Sequence, residues 1–267
     1  WPDIFLDYVS GIKATIIRQF VAYEKKRQDK MLRRCKKVFT MSRNFKSWLE
    51  TLNKDVDVDV IYLATRNLVS ENHRPRAISD DAPVVYAFIG SFNVVQNPVR
   101  VMQAFQNFID NAPTPVNAKL LIGGRGEQLD DVEKLAATND NIDYIGWLLP
   151  KQMDEVLADV HVGLLTLEFK ALVFNNKSFT YLSNSVPIIS AAFGELREYL
   201  NEHNCGWDIE PGSTGSLEQV FSQSYTDIRS GFDYSTAAGD LYLTQFERDK
   251  NYEIYANSII DMIPART

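Results

Sequence analysis

Asn175-Asn176-Lys177-Ser178 is a set of residues that can hold an anion. It opens a short segment in which Phe179, Tyr181 and Leu182 fall at spacings that bury one side of a helix. The segment stops at Asn184-Ser185, and Val186-Pro187-Ile188-Ile189 then begins a buried strand. A helix N-terminus carries a partial positive charge and backbone N–H groups without intrahelical acceptors. A lysine beside it adds a full charge for a phosphate. The same residues also suit an ordinary Ser-capped helix packed on a sheet.

Other groups with chemical potential sit at the ends of apolar runs. Gly90-Ser91-Phe92 ends one, where glycine lets a backbone approach a phosphate closely or simply turns the chain. Gly123-Gly124-Arg125-Gly126 follows another and reads as a turn, with Arg125 either facing a cleft or solvated. In Tyr144-Ile145-Gly146-Trp147 the indole of Trp147 is either a wall for a planar ring or a core residue. Glu168 ends a fourth run, as a reacting carboxylate or a solvated one. His73, His161 and His203 are scattered. No Ser/His/Asp grouping suggests a hydrolase, and no Cys/His/Asp cluster suggests a metal.

These residues need elements to position them. From Val84 onward apolar strands alternate with amphipathic helices. Strands are expected at Val84–Phe92, Ala118–Gly123, Ile142–Trp147, Val162–Leu167, Val186–Ala191 and Gly206–Ile209. Helices are expected at Pro98–Asp110, Gln128–Ala137, Lys151–Ala158, after the Asn175 turn, and at Gly194–Glu202. Such alternation implies an α/β, Rossmann-like parallel sheet covered on both faces, with ligands outside the carboxyl ends of its strands. Ser216–Ser224 and about 235–262 read as C-terminal helices. Before Val84, residues 11–37 read as one long helix, Val38–Met41 as a strand, Arg43–Leu52 as a helix capped by Ser42, and Asp57–Leu63 as a strand. Thr65–Pro83 has the polar composition of a linker.

Composition narrows the class. The 267 residues are 45% hydrophobic and 24% charged, as in ordinary globular proteins. A net charge of -7 argues against general nucleic-acid binding. No apolar run is long enough to span a bilayer as a helix. Cys35 and Cys205 read as free thiols in a reducing compartment. Glu24–Lys37 holds eight Lys or Arg against two acids, which suits anionic lipid headgroups or a solvated helix face.

The order of these motifs resembles GT-B glycosyltransferases of the large retaining family 4. Within that family it resembles the UDP-sugar enzymes that elongate bacterial glycans and glycoproteins. The resemblance rests on Asn175-Asn176, Lys177, Tyr181-Leu182 and Pro187-Ile188-Ile189, and on the strand–turn motifs at Gly90, Gly123 and Gly146. It also covers Trp1-Pro2-Asp3 and the strand-plus-Ser of Val38–Ser42. The chain departs from the pattern at Ser185, where the family usually has Gly. It departs also at Ser91 and Gln96, where the family places an Arg and a Lys on the diphosphate. Of two family Glu positions, the first falls on Leu172 and the second, which bonds ribose, on Thr180.

The resemblance implies a GT-B-like fold. Residues 1–68 would be the end of an N-terminal acceptor-side domain, partial or truncated, and 69–83 a linker. Residues 84–234 would be the nucleotide-sugar (donor) domain, and 235–267 a C-terminal helix crossing back. It implies transfer from a nucleotide-sugar, a UDP-sugar by the sub-group resemblance, to a glycan or lipid-linked acceptor, with retention of configuration and no metal or other cofactor. Glu168 and Lys177 would act in catalysis. Gly90, Ser91, Arg125, Gly146, Trp147, Asn175, Asn176, Lys177, Ser178 and Thr180 would bind the nucleotide-sugar. The setting implied is cytoplasmic, with peripheral contact at the inner membrane face through residues 24–37. Two other functions fit the sequence: a non-catalytic GT-B-like protein that binds a glycan or a partner, and a nucleotide-sugar epimerase.

Overall fold

The structure is a computed structural model, and it describes residues 11–63, 78–79, 81–171 and 174–263. The sequence readings that fall on Trp1–Asp3, His73, most of the linker and Leu172 lie outside the described residues. The chain divides into two compact units, Leu63–Asn251 and Trp1–Tyr62 with Tyr252–Thr267.

The smaller unit contains α1 (Gly11–Leu32), β1 (Val38–Thr40), α2 (Arg43–Leu52) and β2 (Val58–Val60). β1 and β2 pair in parallel with Val38 opposite Val58. Ser42 caps α2 as expected, its hydroxyl accepting from the Phe45 N–H at 3.2 Å. The long helix expected over 11–37 stops at Leu32, because Arg34 and Cys35 close tight turns onto Met31 and Leu32 before the chain enters β1. Part of the basic run is therefore turn, not helix. Ile16, Phe20, Tyr23 and Met31 are exposed along α1. Among the described residues no helix is long and apolar enough to cross a membrane.

The larger unit is built on a six-stranded parallel sheet: β3 (Val84–Phe92), β4 (Ala118–Gly126), β5 (Ile142–Gly146), β6 (Val162–Leu165), β7 (Ile188–Ser190) and β8 (Gly206–Asp208). Their order is β5-β4-β3-β6-β7-β8. The winding reverses between β3 and β6, which is where open α/β sheets leave a crevice at their carboxyl ends. The pairing there is short. β3 runs beside β4 from Val84 to Phe92, but meets β6 only at Tyr86–Val162 and Ala87–Gly163. Beyond Ala87 the two strands part.

The helices are α3 (Pro98–Asp110), α4 (Leu129–Ala136), α5 (Pro150–Leu157), α6 (Asn176–Ser183), α7 (Glu195–Glu202), α8 (Thr214–Arg229), α9 (Tyr234–Leu241) and α10 (Arg248–Ile260). Tyr86, Phe105, Phe108 and Phe221 form one ring cluster that ties α3 and α8 to β3. A second cluster, Phe174, Phe179, Tyr199 and Phe246, packs beneath α6. Burial of each such ring contributes about 1.5–3 kcal/mol.

Two expectations change in this unit. Gly124-Arg125-Gly126 is strand, not turn, and stays paired with β3 to Phe92. Gly124 and Gly126 have φ of 145° and 153°, and a Cβ on either would run into the Gly90 or Phe92 carbonyl oxygen. The glycines serve close strand approach. The single C-terminal helix expected from 235 is broken. A π-helical turn at Tyr242–Phe246 follows α9, and Glu247 leaves the helical region (φ −56°, ψ 127°). The Glu247 carboxylate accepts from the Lys250 N–H at 2.8 Å, as a cap does. From Tyr252 the chain packs in the smaller unit, where Ser258 donates to Asp59 at 2.6 Å and Tyr255 meets Phe39 edge-on at 4.8 Å.

Candidate functional site

α6 begins where β3 and β6 part. Asn175 caps it, with extended backbone (φ −105°, ψ 169°) and a side-chain oxygen that accepts from both the N–H and the hydroxyl of Ser178 at 3.3 Å. The cap is thus Asn175 and not a serine. Ser178 is buried and its hydroxyl is used inside the turn.

Tyr181 fixes the helix to the sheet. Its phenol donates to the Ala87 carbonyl and accepts from the Ile89 N–H, both at 3.1 Å. It therefore fills the hydrogen-bonding role that β6 gives up when it diverges from β3. Burial holds this phenol well above its ordinary pKa, so it stays protonated. The ring lies directly on Gly163, where a Cβ would come within 2.6 Å of it. Glycine in a buried strand is the mark of such an approach.

This anchoring lays the first turn of α6 over the carboxyl end of β3. The Lys177 amine donates to Gln96 Oε1 at 2.6 Å and lies 4.5 Å above the Phe88 ring. It fills the space over Gly90, where a Cβ would run into the amine itself. Among the described residues it pairs with no carboxylate. Burial pushes its pKa down to about 7. Gln96 is held in turn: its carbonyl accepts from Thr166 Oγ1 at 2.6 Å and its N–H donates to Asn93 Oδ1 at 2.9 Å.

A cavity of about 200 Å³ opens beside this lysine. Gly90 and Gly124 form one side, and Asn176, Lys177 and Thr180 on α6 form another. Trp147, Leu148 and Met153 close the third. Trp147 is 55% exposed, so it is a wall and not a core residue. Arg125 is exposed and does not line the cavity; its guanidinium lies 4.5 Å above the Trp147 ring, a cation–π contact. Gly146, with φ 76°, makes the turn that precedes Trp147. Thr180 donates to the Asn176 carbonyl at 3.0 Å and keeps its lone pairs for an incoming hydroxyl.

Of the residues expected to form a site, the cavity collects Gly90, Trp147, Asn176, Lys177 and Thr180. Ser91 points to solvent on β3, and Asn175 and Ser178 act as the cap behind the first turn. Glu168 is not brought to the cavity. Its carboxylate pairs with buried Arg100 Nε at 2.6 Å, and its N–H donates to the Val95 carbonyl at 2.9 Å. It ties the loop after β6 to α3. The sequence reading missed the phenol bridge of Tyr181 and the Arg100 partner. Gly163 within an apolar run was the available signal for the first, and nothing local signals the second. Among the described residues no group of three His, Cys, Asp or Glu could hold a metal ion.

Comparison with known proteins agrees with this architecture. A model of the family described as glycosyl transferases group 1 matches residues 83–227. By sequence alone, no curated protein matches the chain. Among solved structures it is similar to a mutant TarM from S. aureus in complex with fondaparinux, alpha-GlcNAc-glycerol and UDP. The TM-score is 0.64 over 90% of this chain and 46% of TarM, at 9% identity. It is similar to HepE from Anabaena in complex with UDP-glucose, with TM-score 0.69 over 94% of this chain and 77% of HepE, at 11% identity. It is similar also to sucrose-phosphate synthase from Thermosynechococcus elongatus, with TM-score 0.71 over 97% of this chain and 65% of that one, at 13% identity. At such identities the likeness is one of fold, and the fold is GT-B-like. The chain spans about half the length of TarM.

Proposed function

The chain belongs to the group 1 glycosyl transferases, and on that premise we propose that its larger unit binds the nucleoside diphosphate of a sugar donor, a UDP-sugar by preference, for transfer to a glycan or lipid-linked acceptor. One observation carries this reading. Lys177 stands at the N-terminus of α6, at the switch point of the sheet, and among the described residues it meets a neutral amide and the face of Phe88 but no carboxylate. A helix N-terminus and a lysine over a glycine at a strand end are what a diphosphate needs. TarM, HepE and the pneumococcal O-GlcNAc transferase GtfA, all similar in fold, were solved with UDP or UDP-glucose bound.

In this reading Asn176 and Lys177 hold the diphosphate, Thr180 meets a ribose hydroxyl, and Trp147 with Gly146 borders the base. As the sugar–phosphate bond breaks, charge develops on the leaving diphosphate. A preorganised dipole and cation stabilise that charge without a metal. Transfer with retention follows the family's manner, the leaving phosphate taking the acceptor's proton on the same face. Glu168, tied to Arg100, supports the loop after β6. We place the enzyme in the cytoplasm, with the basic run at residues 24–37 against anionic lipid.

A second reading, a GT-B-like protein that binds without transferring, draws on the cavity lining, which among the described residues holds no carboxylate. The test is a thermal-shift series with UDP, GDP, ADP and TDP, since a ligand that binds only the folded state stabilises it. UDP is expected to raise the melting temperature most. No shift with any of the four at millimolar concentration would overturn the nucleotide reading. Binding of UDP with no sugar transfer to any acceptor would favour the second.

A further inference from the structure

Gln96 stands where the family resemblance places a diphosphate-binding lysine. Its place in the structure gives it a different task. Its backbone is pinned by Thr166 and Asn93, so its side chain presents Oε1 to the Lys177 amine at 2.6 Å from a fixed base. The amine is sandwiched between that oxygen, the face of Phe88 and the backbone of Gly90. The charged groups of the neighbouring elements are engaged elsewhere. Arg125 on β4 lies over Trp147, and Glu127 after β4 accepts from the Val94 N–H at 2.9 Å. Arg100 on α3 and Glu168 after β6 hold each other, and the Tyr181 phenol is bonded to the β3 backbone.

We propose that Gln96 is a positioning residue which keeps the Lys177 amine over Gly90 in a setting free of negative charge, so that arrival of a diphosphate is accompanied by uptake of a proton at Lys177. The proposal rests on the nucleotide reading above. An anion beside the amine favours its charged form, whereas burial without one disfavours it. A pKa of about 7 in the empty site agrees with that geometry. The proton comes from solvent and stays on Lys177 while the diphosphate is bound, so no other bond changes. The amide of Gln96 also carries an N–H₂ group, which can donate to a phosphate oxygen while its carbonyl holds the lysine. A lysine at this position would set two cations against each other. A glutamate would charge Lys177 permanently.

The experiment is titration calorimetry of UDP binding to the full chain, from about pH 7 to 9, in buffers of different ionisation enthalpy. The second ionisation of a phosphate monoester falls at about pH 6, so from about pH 8 upward the proton uptake is read free of the phosphate's own titration. The expected result is uptake of about one proton at the alkaline end, with affinity falling roughly tenfold per pH unit once the empty-site amine is neutral. Gln96→Glu should bind more weakly, take up no proton, and show a flat pH profile. Lys177→Arg, whose side chain cannot lose its proton, should also be flat. Melting curves of each variant confirm that it is folded. UDP binding without proton uptake in the parent would overturn the proposal and leave the nucleotide site standing. A Gln96→Glu variant with the parent's slope would remove Gln96 from the argument and overturn it too. No UDP binding at any pH would overturn the nucleotide reading itself.

Discussion

Lys177 weakens the fold where it stands. Its folded-state pKa of about 7 lies below its ordinary 10.5, so between those values the folded protein binds fewer protons than the unfolded chain. Stability therefore rises with pH through that window, and the penalty is fully present below it. Lys177→Met keeps the stem and removes the amine. Its melting temperature relative to the parent should be most favourable near about pH 6 and should decline steadily toward about pH 10. UDP affinity should drop by about 1.5–3 kcal/mol, the scale of a charge-assisted hydrogen bond. A pH-independent melting difference would contradict a half-buried amine whose hydrogen-bond partner is a neutral amide. Glu168→Gln separates the other expected catalytic residue from the site. Loss of the Arg100 pair should cost about 1.5–3 kcal/mol of stability and leave UDP affinity unchanged. Weakened UDP binding with unchanged melting would instead put Glu168 on the ligand. The lysine turn was legible because caps, charge and spacing are local. The Gln96 and Arg100 partners lie 81 and 68 residues away from theirs, and no local pattern encodes them.

An element's existence was easier to read than its placement. The strand–helix alternation from Val84 onward follows from apolar runs and caps, and the parallel sheet follows from the alternation. Which strands part, and what fills the gap, depends on pairing that the sequence does not display. Tyr181 decides it here, reaching back 94 residues to the Ala87 carbonyl. Tyr181→Phe would leave the Ala87 carbonyl and the Ile89 N–H buried without partners, at a cost of about 2–4 kcal/mol. Because the same bond holds the first turn of α6 over β3, UDP binding should weaken as well. A Phe variant with parent stability and affinity would show that α6 is held by its apolar face alone. The glycine run at 123–126 misled for a related reason. Glycine usually punctuates a strand, but here it lets β4 press against β3 to the end of both.

At the scale of the molecule, the Leu63–Asn251 unit holds every residue of the cavity. It also reaches past residue 234, where the family resemblance implies that the donor domain ends. The extra length has a visible purpose. Phe246, in the π-helical turn, packs on Phe174 at 5.2 Å, on Phe179 at 5.4 Å and on Tyr199 at 5.1 Å. Phe174 directly precedes the Asn175 cap, and Phe179 is the buried face of α6. The ring of Phe246 is fully buried there, so its removal strips cover from the helix that carries Lys177. Loss of such a ring costs about 3–5 kcal/mol, a large part of a domain's net stability. A fragment spanning 63–251 should therefore fold cooperatively and keep the parent's UDP affinity. A fragment ending at residue 234 should melt far lower and bind UDP poorly, although every cavity residue is still present in it. Sugar transfer should behave differently from binding, since it needs donor and acceptor held together, and the 63–251 fragment should bind without turning over. Denaturation curves and UDP calorimetry on both fragments, beside transfer assays on the full chain, check the three statements together. Equal UDP affinity in the two fragments would show that the π-helical turn does not support the site, and transfer by 63–251 alone would show that one unit suffices for catalysis.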